Sequence, residues 1–318
     1  MRIVIALGGN AMTSSDGRAR PEDQEAAIAA AAEPIADLVA AGHQVLLTHG
    51  NGPQVGNLLL KNELSAAVVP PVPLDWCGAQ TQATIGALLL SALDAALHRR
   101  GSGRRTAVLV SRTLVDPEDP GFAEPTKPVG RYLPEDEARL MIEHGQRYVE
   151  VPDRGWRRVV ASPEPLECLD GPAADTLLAE GYLVVCSGGG GIPTVRHPDG
   201  SLHGIEAVID KDLTAALIAA HTRADVLVIA TDVDSAVTDW GTPHARPIGE
   251  VTAAEMRCIA HDQGFAAGSM GPKVEAVTRF AEQTGGTGII TSLGRIALAI
   301  EGHLGTRVVR GEAAPQHP

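Results

Sequence analysis

The sequence predicts an α/β fold: a three-layer αβα sandwich in which helices cover both faces of a mainly parallel central sheet. Short runs such as residues 3–7 and 226–230 contain only apolar side chains. Runs of this kind are typical of strands buried on both faces, because a strand with one face in water alternates apolar and polar residues. Segments of helical periodicity separate the runs, as in successive β-α-β units. Together the two patterns favour a sheet between two layers of helices.

The individual elements follow from these patterns in order along the chain. Strands are predicted for the apolar runs 3–7, 45–47, 107–111, 183–186, 226–230 and 289–291, with a further strand near the end. Helices are predicted for 22–41, 55–64, 78–100 and 172–180, from Lys211 or Asp212, after Thr252, from about Pro272, and once more before the last strand. Proline suits the first turn of a helix, which supports the start near Pro272. A β-hairpin is predicted around residues 197–200.

Residues 116–165 interrupt this rhythm. The segment holds eight of the chain's 22 prolines and many charges, and it has no long apolar run. We therefore predict a single domain over residues 1–318, into which a small protruding subdomain, residues 116–165, is inserted.

Composition narrows the class of protein. The 318 residues are 44% hydrophobic and 20% charged, as in a soluble globular protein, and the net charge of −13 argues against nucleic acid or an anionic membrane as a partner. Neither a signal peptide nor a membrane span is expected, because the apolar runs are short. The four cysteines form no CxxC pair, so we expect no disulfide or structural zinc and a cytoplasmic location.

Lysine is rare in this chain, which makes its positions informative. Only four of the 26 basic residues are lysine, at Lys61, Lys127, Lys211 and Lys273. Three of them lie in unusual settings: Pro-Thr-Lys-Pro, Asp-Lys-Asp and Gly-Pro-Lys. Lysine offers a compact point charge on a flexible stem, which suits contact with a phosphate oxygen. Lys61 follows three leucines on a predicted helix, and we interpret it as a solvated surface residue.

Four apolar runs each lead into a turn rich in glycine or aspartate. The turns hold Gly8-Gly9-Asn10, Gly50-Asn51-Gly52, Ser187 to Gly191 with Gly189 and Gly190, and Thr231-Asp232-Val233. In a parallel sheet the carboxyl ends of the strands share one edge, so the turns should meet there. Glycine turns that open a helix allow backbone N–H groups to converge on an anion. The chain has no Gly-Lys dipeptide, which excludes a P-loop, and it lacks the GxGxxG fingerprint.

These residues make the family recognisable: the chain resembles the carbamate kinases of the amino acid kinase superfamily along its whole length. The resemblance is carried by ALGGNA at 6–11, THGNGPQVG at 48–56, PTKPVG at 125–130, RRVVASP at 157–163, GGGGIP at 188–193, EAVIDKD at 206–212 and GSMGPKVEA at 268–276. The order and spacing of the segments match, and the insertion with Pro-Thr-Lys-Pro is specific to this branch of the superfamily.

The resemblance implies reversible phosphoryl transfer between ATP and carbamate, giving ADP and carbamoyl phosphate, with Mg²⁺ bound together with the nucleotide. It also implies a homodimer and a cellular direction towards ATP synthesis. Lys127 would contact carbamoyl phosphate, Lys211 would neutralise the transferring phosphoryl group, Asp212 would orient the lysines, and Lys273 would hold the terminal phosphates. The remaining nucleotide contacts are expected from Thr231, Asp232, Val233 and Met270. Carbamate is already an anionic nucleophile, so no strong base is required.

Simpler interpretations stay open for several of these residues. Asp210 or Asp212 could cap the helix that follows, and the same holds for Asp232. Any one of the glycine turns could be purely structural. His49 lies beside two glycine turns and is predicted to be a packed or hydrogen-bonding residue rather than a catalytic base.

Some positions depart from the usual carbamate kinase pattern. Ala83, Thr84 and Ala87 stand where tyrosines and a glycine are common, and Val237 stands where a tyrosine often packs against adenine. These departures would favour a shifted substrate or a weaker nucleotide contact. Two alternatives follow: a sister kinase that acts on another small carboxylate or phosphonate, or a non-catalytic sensor of nucleotide or carbamoyl phosphate. The insertion with Lys127 disfavours the first, and retention of three lysines with Asp212 disfavours the second.

Overall fold

A computed structural model describes residues 1–8, 20–265 and 270–311 of the chain. Within them, the helices are α1 (Pro21–Ala40), α2 (Gly52–Ser65), α3 (Leu74–Arg99), α4 (Pro120–Ala123), α5 (Glu135–Glu143), α6 (Gly171–Ala179), α7 (Lys211–His221), α8 (Ala253–Gln263), α9 (Met270–Thr284) and α10 (Ile296–Ile300). Single 3₁₀ turns lie at Gly188–Gly190 and Leu293–Arg295. Among the described helices, none combines the length and apolar composition needed to cross a membrane.

The described residues form one large sheet of eight strands. In spatial order these are β15 (Glu250–Thr252), β17 (Thr306–Val309), β16 (Thr287–Ser292), β12 (Val226–Thr231), β1 (Arg2–Leu7), β2 (Gln44–His49), β9 (Leu183–Val185) and β3 (Thr106–Val108). Neighbouring strands are parallel except for the antiparallel pair β16 and β17. The predicted, mainly parallel central sheet is confirmed.

Helices cover both faces of this sheet, as the uniformly apolar strands predict. Val4 and Ala6 of β1 pack in a core with residues of α6, α7, α8 and α9. Ile3, Ile5 and Leu7 of the same strand pack on the opposite face with residues of α1, α3 and α10. Because successive side chains of a strand point to opposite faces, both sets must be apolar for the strand to be buried.

Within the described part of the chain, three smaller sheets extend the fold. A four-stranded sheet has the order β11 (Leu202–Gly204), β10 (Ile192–Arg196), β4 (Arg112–Leu114) and β8 (Glu167–Cys168), and β13 (Val237–Thr238) pairs with β14 (Arg246–Pro247). The hairpin predicted around 197–200 is the β10–β11 pair, which is antiparallel. The single strand predicted over 107–111 is wrong in part: β3 ends at Val108, and the chain crosses to the second sheet as β4.

The third small sheet lies inside the segment predicted to be a subdomain. It has the order β5 (Lys127–Leu133), β7 (Gly155–Val160) and β6 (Tyr148–Val151), all antiparallel. It packs on α2, where a Cβ atom on Gly56 would lie only 2.9 Å from the Cα of Gly130. Val55 and Leu59 of α2 share a small core with Val129 and Val160 of this sheet. The bounds 116–165 and the division into domain and subdomain stay a prediction.

Candidate active site

A cavity of about 490 Å³ lies at the carboxyl ends of the central strands. Residues that follow five adjacent parallel strands line it: Leu293 after β16, Thr231 and Asp232 at β12, Gly8 after β1, Gly50 after β2 and Gly189 after β9. The crevice beyond the carboxyl ends of the strands is where open α/β sheets bind ligands. The predicted meeting of the four turns along one edge is therefore observed for their described residues.

The cavity brings together most of the predicted site residues. Those that line it are Gly8, Gly50, Asn51, Gly52, Lys127, Gly189, Lys211, Asp212, Thr231, Asp232 and Lys273. Among the described residues, three predicted ones are not part of the lining: Gly190 is buried behind it, Val233 is half-buried, and Met270 packs against the core. Gly9 and Asn10 lie outside the described residues. The roles assigned to these residues stay predictions.

Three of the described helices begin at the cavity. Gly52 and Pro53 belong to the first turn of α2, Lys211 and Asp212 to that of α7, and Lys273 to that of α9. The N-terminal end of a helix carries partial positive charge and exposes N–H groups that have no intrahelical acceptor. Among the described residues, three such ends around one cavity favour an anionic ligand such as a polyphosphate. At α7 the contribution is that of the helix dipole, since Asp210 already accepts the N–H groups of Asp212 and Leu213.

Lys211, Asp212 and Lys273 form one charged cluster in the cavity wall. The Nζ of Lys211 lies 2.5 Å from Oδ1 of Asp212, and the Nζ of Lys273 lies 3.0 Å from Oδ2 of the same carboxylate. Only 4% of the Asp212 side chain is exposed, against 13% for Lys211 and 14% for Lys273. One carboxylate therefore fixes two ammonium groups, one from α7 and one from α9, beside each other.

Burial and the neighbouring charges shift the pKa values of Lys211 and Asp212. Burial lowers the pKa of Lys211, and the charge of Lys273 lowers it further, although Asp212 opposes both effects. Burial alone would raise the pKa of Asp212, but the charges and hydrogen bonds of the two lysines outweigh it and lower that pKa. The two lysines thus keep the carboxylate of Asp212 ionised between them.

Lys127 reaches the cavity from β5 and contacts a residue that the sequence did not identify as functional. Its Nζ lies 2.7 Å from Oδ2 of Asp210, while Oδ1 of Asp210 accepts from the N–H groups of Asp212 and Leu213. Asp210 is therefore the N-cap of α7, the alternative left open above, and also the ionic partner of Lys127. The Asp-Lys-Asp pattern marks the position, but no sequence signal pairs it with a lysine 83 residues away.

The glycine turns differ in one respect from the expectation that their amides converge on an anion. The N–H of Gly8 donates to the carbonyl of Ala230, and the N–H of Gly50 donates to the carbonyl of Leu7. Both amides continue the hydrogen-bond ladder of the sheet by one residue beyond the strand. Among the described glycines, amides available to an anion must come from later in each turn.

His49 is a packed residue, as predicted. It is 1% exposed, and its Nδ1 lies 2.9 Å from the carbonyl oxygen of Gly50, to which it can donate. Burial lowers the pKa of His49 to about 4, so the imidazole is neutral at physiological pH. A Cβ atom on Gly188 would lie 2.3 Å from its Nε2, which shows how closely the ring packs under the turn that follows β9.

The departures from the family pattern lie away from the cavity. Ala83, Thr84 and Ala87 are exposed on α3, and Val237 is half-buried in the short strand β13. Among the described residues that line the cavity, none of the four is present. The geometry gives no support to the idea that these substitutions alter the substrate.

Known proteins share both the sequence and the structure of this chain. The model of the amino acid kinase family matches residues 1–292. A carbamate kinase of Thermococcus kodakarensis is 42% identical over 313 residues, covering 97% of this chain and 99% of the relative. A carbamate kinase of Trichomonas vaginalis is 41% identical, with the same coverage of both chains.

A solved structure of the carbamate kinase from Giardia lamblia, bound to AMP-PNP, superposes with a TM-score of 0.91 at 41% identity. The match covers 97% of this chain and 98% of that one. The likeness in sequence and in structure extends over the whole fold, including the small three-stranded sheet with Lys127. The chain therefore belongs to the amino acid kinase family and, within it, to the carbamate kinases.

Proposed function

We propose that the chain catalyses reversible phosphoryl transfer between ATP and carbamate, giving ADP and carbamoyl phosphate, and that the cavity at the carboxyl ends of the strands is its active site. The observation that carries the assignment of the site is the cluster of Lys211, Asp212 and Lys273. The cluster lines the cavity at which helices α2, α7 and α9 begin. The relatives that match the whole chain are carbamate kinases.

The cluster suits the electrostatics of phosphoryl transfer. The transition state spreads negative charge over the equatorial oxygens of the moving group, so catalysis consists mainly of positioning and charge stabilisation. Lys211, at the start of α7, would contact the transferring phosphoryl group, and Lys273, at the start of α9, would contact the terminal phosphates of the nucleotide. Asp212 would hold both in place, since it is fixed at the start of α7 and almost wholly buried.

The chemistry needs no general base in this cavity. Carbamate attacks through an oxygen that already carries negative charge, and in reverse ADP attacks through a phosphate oxygen. His49 is buried, and burial lowers its pKa to about 4. A direct in-line transfer between the two substrates is consistent with this set of residues.

Lys127 would supply the third cation, on the side of carbamoyl phosphate. Its side chain is 30% exposed, and it lies on a separate small sheet rather than on the central one. Pairing with Asp210 holds its ammonium group beside the start of α7. The phosphate of carbamoyl phosphate would then compete with Asp210 for Lys127.

Magnesium would enter with the nucleotide. Among the described residues, no group of three or more His, Cys, Asp or Glu side chains is placed to hold a metal ion. Asp210 and Asp212 both face lysines, so the donors in the cavity fit an ion held by phosphate oxygens and water. When bound, the ion would neutralise charge that develops on the phosphates.

The direction and the location belong to the same proposal. Carbamoyl phosphate is a mixed acid anhydride, a class of compound that readily gives up its phosphoryl group, which supports a cellular direction towards ATP synthesis. A cytoplasmic location is supported by four free cysteines, three of them buried.

A homodimer is the assembly that the surface of α3 supports. The exposed residues of this helix between Trp76 and Ser91 carry no charge: Trp76, Gln80, Ala83, Thr84, Ala87 and Ser91. Next to this helix, β3 is the outermost strand of the central sheet. The lack of charge over these 16 positions and the 60% exposed Trp76 favour a second copy of the chain as the partner of this face, because interface cores are poor in charged residues and rich in aromatic ones.

The substrate assignment can be tested with a panel of phosphoryl donors. Purified protein with ADP and Mg²⁺ would be supplied with carbamoyl phosphate or acetyl phosphate, and ATP would be followed by luciferase. A phosphonate would be tested as the acceptor in the opposite direction, with ATP as the donor and ADP release as the signal. We expect ATP from carbamoyl phosphate at a kcat/KM at least tenfold above that from acetyl phosphate. A preference for acetyl phosphate would transfer the assignment to a sister kinase, and ADP binding without ATP from any donor would indicate a sensor.

A further inference from the structure

The turn that follows β9 has an unusual backbone. Ser187 has a φ of 55°, and Gly189, Gly190 and Gly191 have φ values of 65°, 89° and 91°. Positive φ is costly for serine, so surrounding residues must hold this turn in place. Within the turn, Gly189 lines the cavity that we assign as the active site.

Side chains from several elements hold the carbonyls of this turn. The hydroxyl of Thr48 donates to the carbonyl of Ser187 at 2.7 Å, and the hydroxyl of Thr113 donates to that of Gly190 at 2.8 Å. The side-chain amide of Gln82 donates to the carbonyl of Gly188 at 2.9 Å. In a trans peptide the carbonyl of one residue and the N–H of the next point in opposite directions. Gln82 therefore fixes the direction of the Gly189 N–H, which belongs to the residue at the cavity.

Gln82 uses its whole side chain for this purpose. It is 2% exposed on α3, and its Nε2 also donates to the carbonyl of Ser111 at 3.1 Å, while its Oε1 accepts from the N–H of Ser111 at 2.8 Å. The N–H of Ser187 in turn donates to the hydroxyl oxygen of Ser111, with 2.7 Å between the nitrogen and the oxygen. The side-chain amide of Gln82 thus uses both of its N–H donors and its oxygen, and it connects α3 with the segment before β4 and with the turn after β9.

The neighbouring residue on α3 holds the second glycine turn. Thr81 is 2% exposed, and its hydroxyl accepts from the side-chain amide of Asn51 at 2.9 Å while it donates to the carbonyl of Gly78. The amide of Asn51 lies over Gly189, where a Cβ atom would come within 2.1 Å of Nδ2. Thr81 and Gln82, two consecutive residues of α3, therefore fix the turn after β2 and the turn after β9 in contact with each other.

We propose that Gln82 and Thr81 are positioning residues for the phosphate of carbamoyl phosphate. Gln82 directs the N–H of Gly189 towards it, and Thr81 places the amide of Asn51 beside that N–H. The inference rests on the proposed function, because it assigns the ligand of this corner to the transferring phosphate. Neither residue touches substrate; each acts through a turn that does.

Gln82→Met tests the inference, because methionine fills a similar volume without either donor or the acceptor. Loss of one positioned oxyanion donor reduces turnover by on the order of 100–1000-fold, and a misdirected peptide should have a comparable effect. We expect kcat/KM for carbamoyl phosphate to fall at least 100-fold, with the dissociation constant of ADP within twofold of the wild-type value. Gln283→Met, at an exposed position near the end of α9, is the matched control and should behave as wild type.

Three outcomes would overturn the proposal: wild-type kinetics in folded Gln82→Met, an equal loss of ADP affinity, or loss of activity in the Gln283→Met control as well. Should Gln82→Met not fold, Thr81→Val gives a second test, since it replaces one hydroxyl by a methyl group. We expect it to raise the KM for carbamoyl phosphate about tenfold and to leave the KM for ADP unchanged; an unchanged KM for carbamoyl phosphate would refute it. Failure of the wild-type protein to form ATP would instead refute the proposed function, so the two failures are distinguishable.

Discussion

Lys127 and Lys273 reach the same cavity from different elements, and their loss is expected to have different consequences. Lys127 lies on the small sheet and faces Asp210, whereas Lys273 lies at the start of α9 and faces Asp212. Lys127→Ala should reduce turnover by on the order of 100–1000-fold, with nearly unchanged ADP binding, because it removes a cation from the acceptor side. Steady-state kinetics and calorimetric ADP titration measure the two effects, and an equal loss of both would contradict the assignment.

Lys273→Ala should produce the opposite pattern. A hydrogen bond between charged groups contributes about 1.5–3 kcal/mol, so ADP affinity should fall roughly 10–100-fold. The same titration measures this loss, with Lys61→Ala as the control, because Lys61 is an exposed lysine on α2. Unchanged ADP affinity in Lys273→Ala would remove this residue from the nucleotide site.

His49 makes stability depend on pH in a defined window. Burial lowers the pKa of His49 to about 4 in the folded chain, against 6.5 for an exposed histidine. Below pH 6.5 the unfolded chain binds a proton that the folded chain does not, so this contribution is complete above pH 6.5 and is lost as the pH falls towards 4. The shift corresponds to roughly 3 kcal/mol.

Urea unfolding of wild type and His49→Gln at pH 7 and pH 4.5 measures this contribution. The wild-type protein should lose more unfolding free energy on acidification than the variant, by roughly 2–3 kcal/mol. His303→Gln, at a side chain that is 68% exposed, should follow the wild type. Equal pH dependence of wild type and His49→Gln would contradict the buried, neutral imidazole.

For single residues, the sequence identifies the lysines of the site better than the side chains with which they pair. The scarcity of lysine singles out Lys127, Lys211 and Lys273, and all three line the cavity. The ion pair of Lys127 with Asp210 could not be predicted from the sequence. An aspartate before a helix is a recognisable N-cap, but nothing in a single sequence shows that the same carboxylate also pairs with a distant lysine. Gln82 escaped notice for a similar reason: a glutamine within a helix has no distinctive pattern until its backbone partners are known.

Among the elements, α7 depends on Asp210 for its first turn. The Asp210 carboxylate accepts the N–H groups of Asp212 and Leu213, and asparagine can accept them as well. Asp210→Ala should therefore lower the free energy of unfolding by about 1 kcal/mol more than Asp210→Asn. Chemical denaturation of the two variants tests this, and equal stabilities would mean that the cap contributes nothing to α7.

The elements also show where sequence patterns reach their limit. The buried strands and the helices between them were predicted because they keep one period over their length, and α1, at Pro21–Ala40, lies within one residue of its predicted bounds. Residues 107–110 are as apolar as the other strands, yet the chain leaves the central sheet after Val108. The side-chain oxygen of Gln82 accepts a hydrogen bond from the N–H of Ser111, which would otherwise pair within the sheet. A tertiary hydrogen bond therefore overrides the apolar pattern that predicts a continuing strand.

For the whole molecule, the uncharged face of α3 predicts self-association. Ala87→Arg places a charge in the middle of this face, and a buried unpaired charge is strongly unfavourable. We expect the wild-type protein to have the mass of a dimer in light scattering and Ala87→Arg to shift towards the 33.0 kDa monomer. Glu118→Arg, an exposed change in the insertion, should stay dimeric, and a monomeric wild type would refute the assembly.

The most direct test of the account is ATP formation from ADP, Mg²⁺ and carbamoyl phosphate by the wild-type protein, Lys211→Ala and Lys61→Ala in parallel. We predict rapid synthesis by the wild type and by Lys61→Ala, and a loss of at least 100-fold in Lys211→Ala, since only that variant lacks a cation at the transferring phosphoryl group. Undiminished synthesis by folded Lys211→Ala would contradict the central claim that the cluster of Lys211, Asp212 and Lys273 is the catalytic centre.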